Sequence, residues 1–132
     1  MKELVKKTVD EKRDILVDIA KYLYENPELG SEEFKAFEKI TKVLEDNGFD
    51  VEKGVYDMPT AFVARYKGKG DGPKVAVLAE YDALPGVGHG CGHDLIAASA
   101  VGAGIAASKA ISDLVGEIMV IGTPAEEGHG PG

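Results

Sequence analysis

Two short clusters carry most of the reactive side chains in this sequence. The first is Gly90-Cys91-Gly92-His93-Asp94; the second is Gly122-Thr123-Pro124-Ala125-Glu126-Glu127-Gly128. A thiolate and an imidazole two residues apart can both face one metal ion, and both are preferred ligands of zinc and similar borderline transition metals. Two other readings of the pair stand beside this one. It can be a structural loop, or Cys91 can be a nucleophile with His93 as its base, although thiol hydrolases usually bring the histidine from a distant segment. Glu126 and Glu127 place two like charges side by side, and at a semi-buried site such a pair calls for a counter-charge. A cation shared with Cys91 and His93 would supply it, one glutamate holding the metal while its neighbour takes a proton from water. Standing alone, the same pair would read as a solvated acidic turn.

The glycines at 86, 88, 90 and 92 let the backbone fold tightly around a small ligand. Their alternation is not the spacing of a dinucleotide fingerprint, and no Gly-Lys-Ser/Thr step is present for a phosphate loop. Nucleotide chemistry is therefore not expected.

Both clusters follow nearly continuous apolar runs, 75–79 and 118–121, and open α/β sheets place their ligands just beyond the C-terminal ends of such strands. Between the runs lies a small-residue helical stretch, about 95–111, so the unit reads as strand-helix-strand with a buried parallel pair. Its alanines and glycines would let the helix lie close to the sheet, at some cost in helix propensity. Asp94, just ahead of Leu95, stands where an N-cap would.

Upstream, Ile15, Leu16, Ile19, Ala20 and Leu23 recur at helical spacing until Asn26-Pro27 stops them, which ends a first helix near Tyr24. A second helix reads as capped by Ser31, with Glu32 and Glu33 in its first turn, a stripe of Phe34, Phe37, Ile40 and Leu44, and a stop at Asn47-Gly48. Extended segments are predicted at 49–53, 61–66 and 74–80, with 67–73 as an exposed hairpin turn between the last two. The fold class is thus α/β: two N-terminal helices, then a mixed sheet containing a strand-helix-strand unit.

The chain has 132 residues, 44% of them apolar, enough for one domain with a real core, and neither repeats nor linker-like tracts divide it. A formal charge of -8 argues against nucleic-acid or anionic-membrane partners, which need a basic face. With Cys91 the sole cysteine, no intrachain disulfide can form, and a reducing, cytoplasmic setting is expected. The first residues mix charges and lack the apolar core of a signal peptide. Ser99, Gly102, Gly104, Ser108 and Lys109 interrupt the most apolar stretch, so no membrane span is expected there.

Taken together, Asn26-Pro27-Glu28-Leu29-Gly30, Ala79-Glu80-Tyr81-Asp82-Ala83-Leu84-Pro85, Gly90-Cys91-Gly92-His93-Asp94 and Gly122-Thr123-Pro124-Ala125-Glu126-Glu127-Gly128 run in the order of one known family. The chain resembles the M20 metallopeptidases and amidohydrolases. Within them it is similar to the subfamily with Cys-Gly-His-Asp in place of the aspartate-based motif, which includes N-acyl-amino-acid and aminobenzoyl-glutamate hydrolases. The resemblance implies that Cys91, His93 and Glu127 bind metal, that Glu126 is the general base activating water, and that Asp82 orients a ligand. It implies a divalent metal, zinc first with manganese or cobalt as alternatives, as one or two ions, and a small N-acyl amino acid or dipeptide as substrate. Glu80 and His89 would line the pocket by neighbourhood.

The family's enzymes are longer. They take further ligands, including two histidines, from beyond the Glu-Glu motif, and they insert a lid or dimerisation domain. Residues 1–132 therefore read as the first part of a zinc-peptidase-like catalytic domain; His129 is one candidate for a substitute ligand, although similar proteins usually carry glycines around that position and take the histidine from further on. The alternative is a non-catalytic metal-binding or interaction module, whose partner, a second copy or a complementary half, would pair with an unfinished sheet edge.

Overall fold

The computed structural model describes residues 1–113 and 115–128. Three helices open the chain, α1 (Lys2–Glu11), α2 (Arg13–Glu25) and α3 (Phe34–Asp46), where the sequence suggests two. The additional one arises because the helix predicted from Ile15 extends back to Lys2 and bends at Lys12, whose φ of -95° and ψ of 2° leave the helical region. Its apolar residues, Val5 and Val9, are too sparse among charges to announce a helix, yet they line a groove against the later central helix.

The second predicted helix begins later than Ser31. That residue has φ of 70°, incompatible with the extended geometry of an N-cap, and α3 starts at Phe34 after Glu33. The capping is done from outside: both carboxylate oxygens of Glu28 accept the amides of Lys35 and Ala36 at 3.0 Å. Gly48, at φ 89°, provides the left-handed exit that Asn47-Gly48 suggests.

Four strands follow: β1 (Asp50–Lys53), β2 (Phe62–Lys67), β3 (Lys74–Ala79) and β4 (Glu117–Gly122), with α4 (His93–Ile111) crossing from β3 to β4. The sheet order is β1-β2-β4-β3, with β2 antiparallel and β3 parallel to β4. The mixed sheet and the parallel strand-helix-strand unit are as expected, but the hairpin between β2 and β3 is not formed. The segment 68–73 instead hydrogen-bonds to the entrance of β4, through Gly68 N to Gly116 O, Gly116 N to Gly70 O and Glu117 N to Pro73 O, so β4 is inserted between the two.

One face of the sheet, bearing Phe62, Ala64, Ile118, Val120 and Ala79, packs with Ile40 and Leu44 of α3 and with Ala97, Val101 and Ile105 of α4 in a single core. A Cβ at Gly104 would sit 2.3 Å from Val120 Cγ2, so the small-residue helix does approach the sheet closely. By length and hydropathy alone α4 is apolar enough to cross a membrane, but here it is packed by α1, α2, β3 and β4. The opposite face carries Val63 buried, Met119 and Ile121 half-buried and Leu78 exposed, and β3 is one of the two outer strands. Val75 and Leu78 are 56% and 54% exposed, so the pair is parallel as predicted but not buried on the β3 side.

Candidate metal centre

The site forms where β3 and β4 end. Past Ala79 the chain runs through Glu80, Tyr81 and Asp82, then a glycine-rich loop to Cys91, and Gly92 in a left-handed conformation (φ 86°) turns it into α4. Gly92, not Asp94, therefore occupies the N-cap position. Asp94 lies buried in the first turn, and His93 is the first helical residue.

His93 is buried, and its ring is oriented from one side. Nδ1 lies 2.9 Å from Asp82 Oδ1 and 3.0 Å from the Asp82 carbonyl. Both are acceptors, so Nδ1 carries a hydrogen. Nε2 faces carboxylates: Glu80 Oε2 at 3.3 Å, Glu126 Oε2 at 3.5 Å and Glu127 Oε1 at 3.7 Å. Ligand atoms of Cys91, His93 and Glu127 lie within 4.8 Å of one another, and so do those of Glu80, His93 and Glu126. His93 belongs to both groups.

Asp82 is 1% exposed and works in two directions: Oδ1 receives His93, and Oδ2 accepts the Glu127 amide at 3.0 Å. It thus ties the glycine-rich loop to the loop after β4. A carboxylate holding the far nitrogen of a ligating histidine fixes its tautomer and raises its basicity. Burial raises the Cys91 thiol pKa, opposed by the His93 amide and reinforced by Glu127. A cation arriving there displaces the thiol proton, as metal binding generally does. His89 is buried too, with its pKa lowered by desolvation against the pull of Asp94, and its Nδ1 has no hydrogen-bond partner among the described residues. His129 lies outside the described residues.

A thiol, an imidazole and several carboxylates converging on one spot are a donor set that fits a divalent cation. Sequence reasoning missed Glu33. It is fully buried, with Oε1 accepting the Ala125 amide at 2.8 Å and Oε2 the Thr60 hydroxyl at 2.9 Å. The available signal was phase, since Glu33 falls in register with Phe37, Ile40 and Leu44 on the apolar face of α3. An apolar groove of about 510 Å³ between α1, α2 and α4 contains none of these groups.

No family model matches the chain. It is 35% identical over 144 residues to thermostable carboxypeptidase 2 of Saccharolobus solfataricus, covering 98% of this chain and 36% of that protein. It is 35% identical over 139 residues to one of the subunits of the p-aminobenzoyl-glutamate hydrolase of Escherichia coli, covering 91% of this chain and 28% of that one. Among solved structures, a Bacillus subtilis protein described as a dinuclear metal binding peptidase from the M20 family superposes with a TM-score of 0.78 at 31% identity, covering 92% of this chain and 36% of that one. The chain spans about a third of the length of the relatives it matches. With the motifs in the same order and the fold shared over nearly all of its length, the chain is similar to M20 family peptidases across the segment that it spans.

Proposed function

We propose that this chain supplies the metal-binding part of a hydrolase that cleaves the amide bond of an N-acyl amino acid or a dipeptide-like substrate. Cys91, His93 and Glu127 hold the metal, and Glu126 is the general base. The observation carrying this reading is the imidazole of His93, held through Nδ1 by Asp82 while Nε2 faces Glu80, Glu126 and Glu127, with Cys91 in the same cluster. The donor set favours zinc, with manganese or cobalt as alternatives. A divalent cation, when bound, acidifies a water molecule and polarises a carbonyl oxygen. Glu126 is half exposed beside the cluster, so its carboxylate can meet that water and take its proton, and can later return the proton to the leaving amine. Asp82 holds His93 and the Glu127 amide in place throughout.

The test is to load the purified protein with zinc, manganese or cobalt and follow release of free amino acid from acyl-amino acids and dipeptides. Glu126→Gln is expected to keep its metal and lose roughly 10²–10⁴-fold in rate. Full activity in that variant would sink the assignment of the base. A second reading, a non-catalytic metal-binding or interaction module, is favoured by the open β3 edge with Val75 and Leu78 exposed. Metal binding without turnover in any loaded form would favour it.

A further inference from the structure

We propose that Glu33 is a positioning residue for the carboxylate loop after β4, setting the direction of Glu126 and Glu127 through the Ala125 amide. For its consequence this rests on the metal-site reading above; its geometry does not.

A carboxylate with no exposed surface is an expensive core residue, and an apolar side chain of similar volume is often at least as stabilising. Glu33 uses both oxygens, and one of its two partners lies 92 positions away, directly before the Glu126-Glu127 pair. Ala125 has φ of 57°, a left-handed conformation costing a residue with a Cβ on the order of 1 kcal/mol, and such strain persists where surrounding contacts impose it. The contacts are three alternate amides. Thr123 N is held by Ala79 O at 2.9 Å, Ala125 N by Glu33 Oε1 at 2.8 Å, and Glu127 N by Asp82 Oδ2 at 3.0 Å. Glu126 is therefore suspended between two amides, each gripped by a buried carboxylate.

The two grips are also joined. Glu33 accepts the Thr60 hydroxyl, the Thr60 carbonyl accepts the Tyr81 hydroxyl, and Tyr81 immediately precedes Asp82. A shift of Glu33 is thereby transmitted to both sides of the metal cluster.

The test compares Glu33→Leu, Glu33→Asp and Glu33→Gln by thermal melting, by hydrogen exchange of the Ala125 and Glu127 amides, and by cobalt affinity from its thiolate absorption. Leu offers no acceptor, and Asp, one methylene shorter, is withdrawn from the Ala125 amide. Both are expected to exchange faster at Ala125, and to lose roughly 10–100-fold in cobalt affinity, as supporting groups around metal sites commonly do. Gln keeps a carbonyl for the Ala125 amide and turns its NH₂ to the Thr60 oxygen, so it should restore both properties. A cooperatively melting Leu or Asp variant with wild-type exchange at Ala125 would overturn the proposal. So would a Gln variant as impaired as Leu. Exchange is read without metal, so a wild-type chain that binds no cobalt would remove the metal reading while leaving this one to be decided.

Discussion

At the level of single residues, the meeting of Cys91, His93 and Glu127 was readable because the glycine-rich loop carrying Cys91 and His93 leaves one apolar run and Glu127 lies just past another, and a parallel pair brings such ends together. The supporting grips were not readable. A side chain accepting a backbone amide far along the chain, as Glu33 does at Ala125, leaves no local pattern. Asp82 shows what that support is worth: in Asp82→Asn one oxygen becomes an NH₂ that cannot accept the Glu127 amide while the other still serves His93. Metal affinity is expected to fall roughly 10–100-fold with the fold intact, measured by competition against a chelating dye. Tyr81 gives a pH prediction. Burial first, then the charges of Glu33 and Asp82, raise its pKa well above the ordinary 10.0. The folded chain then keeps a proton that the unfolded chain releases, so this group's contribution to stability is intact below pH 10 and declines above it. Tyr81→Phe should lose about 1 kcal/mol with the hydrogen bond to Thr60, and should flatten the alkaline fall in denaturant midpoint relative to wild type. An unchanged alkaline slope would refute that account.

For helices and strands, existence was easier to read than partnership. Apolar runs marked β3 and β4 to within a residue or two, whereas the order β1-β2-β4-β3 depends on where the 68–73 connection spends its hydrogen bonds, which no local signal encodes. Helix starts failed for a similar reason, because α3 is capped by Glu28 from the preceding segment rather than by a side chain at its own first position. The close approach of α4 to β4 can be tested. Gly104→Ala puts a Cβ into Val120, costing about 1–3 kcal/mol of overpacking against at most about 1 kcal/mol gained in helix propensity. A lower melting temperature is expected, with recovery when Val120→Ala is added. A variant more stable than wild type would show that the contact relaxes freely.

Across the whole molecule, one sheet face is packed by helices and the other carries Leu78 exposed and Met119 and Ile121 half-buried, beside an unpaired β3 edge. Apolar surface next to open strand hydrogen-bonding groups favours association. The purified chain is expected to sediment as larger species with rising concentration, and Leu78→Lys to shift it towards monomer. A wild-type chain that stays monomeric throughout would sink the prediction. The crossover through α4 has another outcome, one of timing. Asp82 and Glu127 are joined across 45 positions, and Glu33 and Ala125 across 92, so the candidate ligands converge only after β4 has docked between β2 and β3. Contacts so distant in sequence close late, because the intervening loops must first lose their freedom. On the proposed reading, a partly folded chain would offer a cation at most Cys91 and His93, and uptake of metal by the full candidate set would report the last stage of folding. By mass action, bound metal would then stabilise that finished state over its precursors.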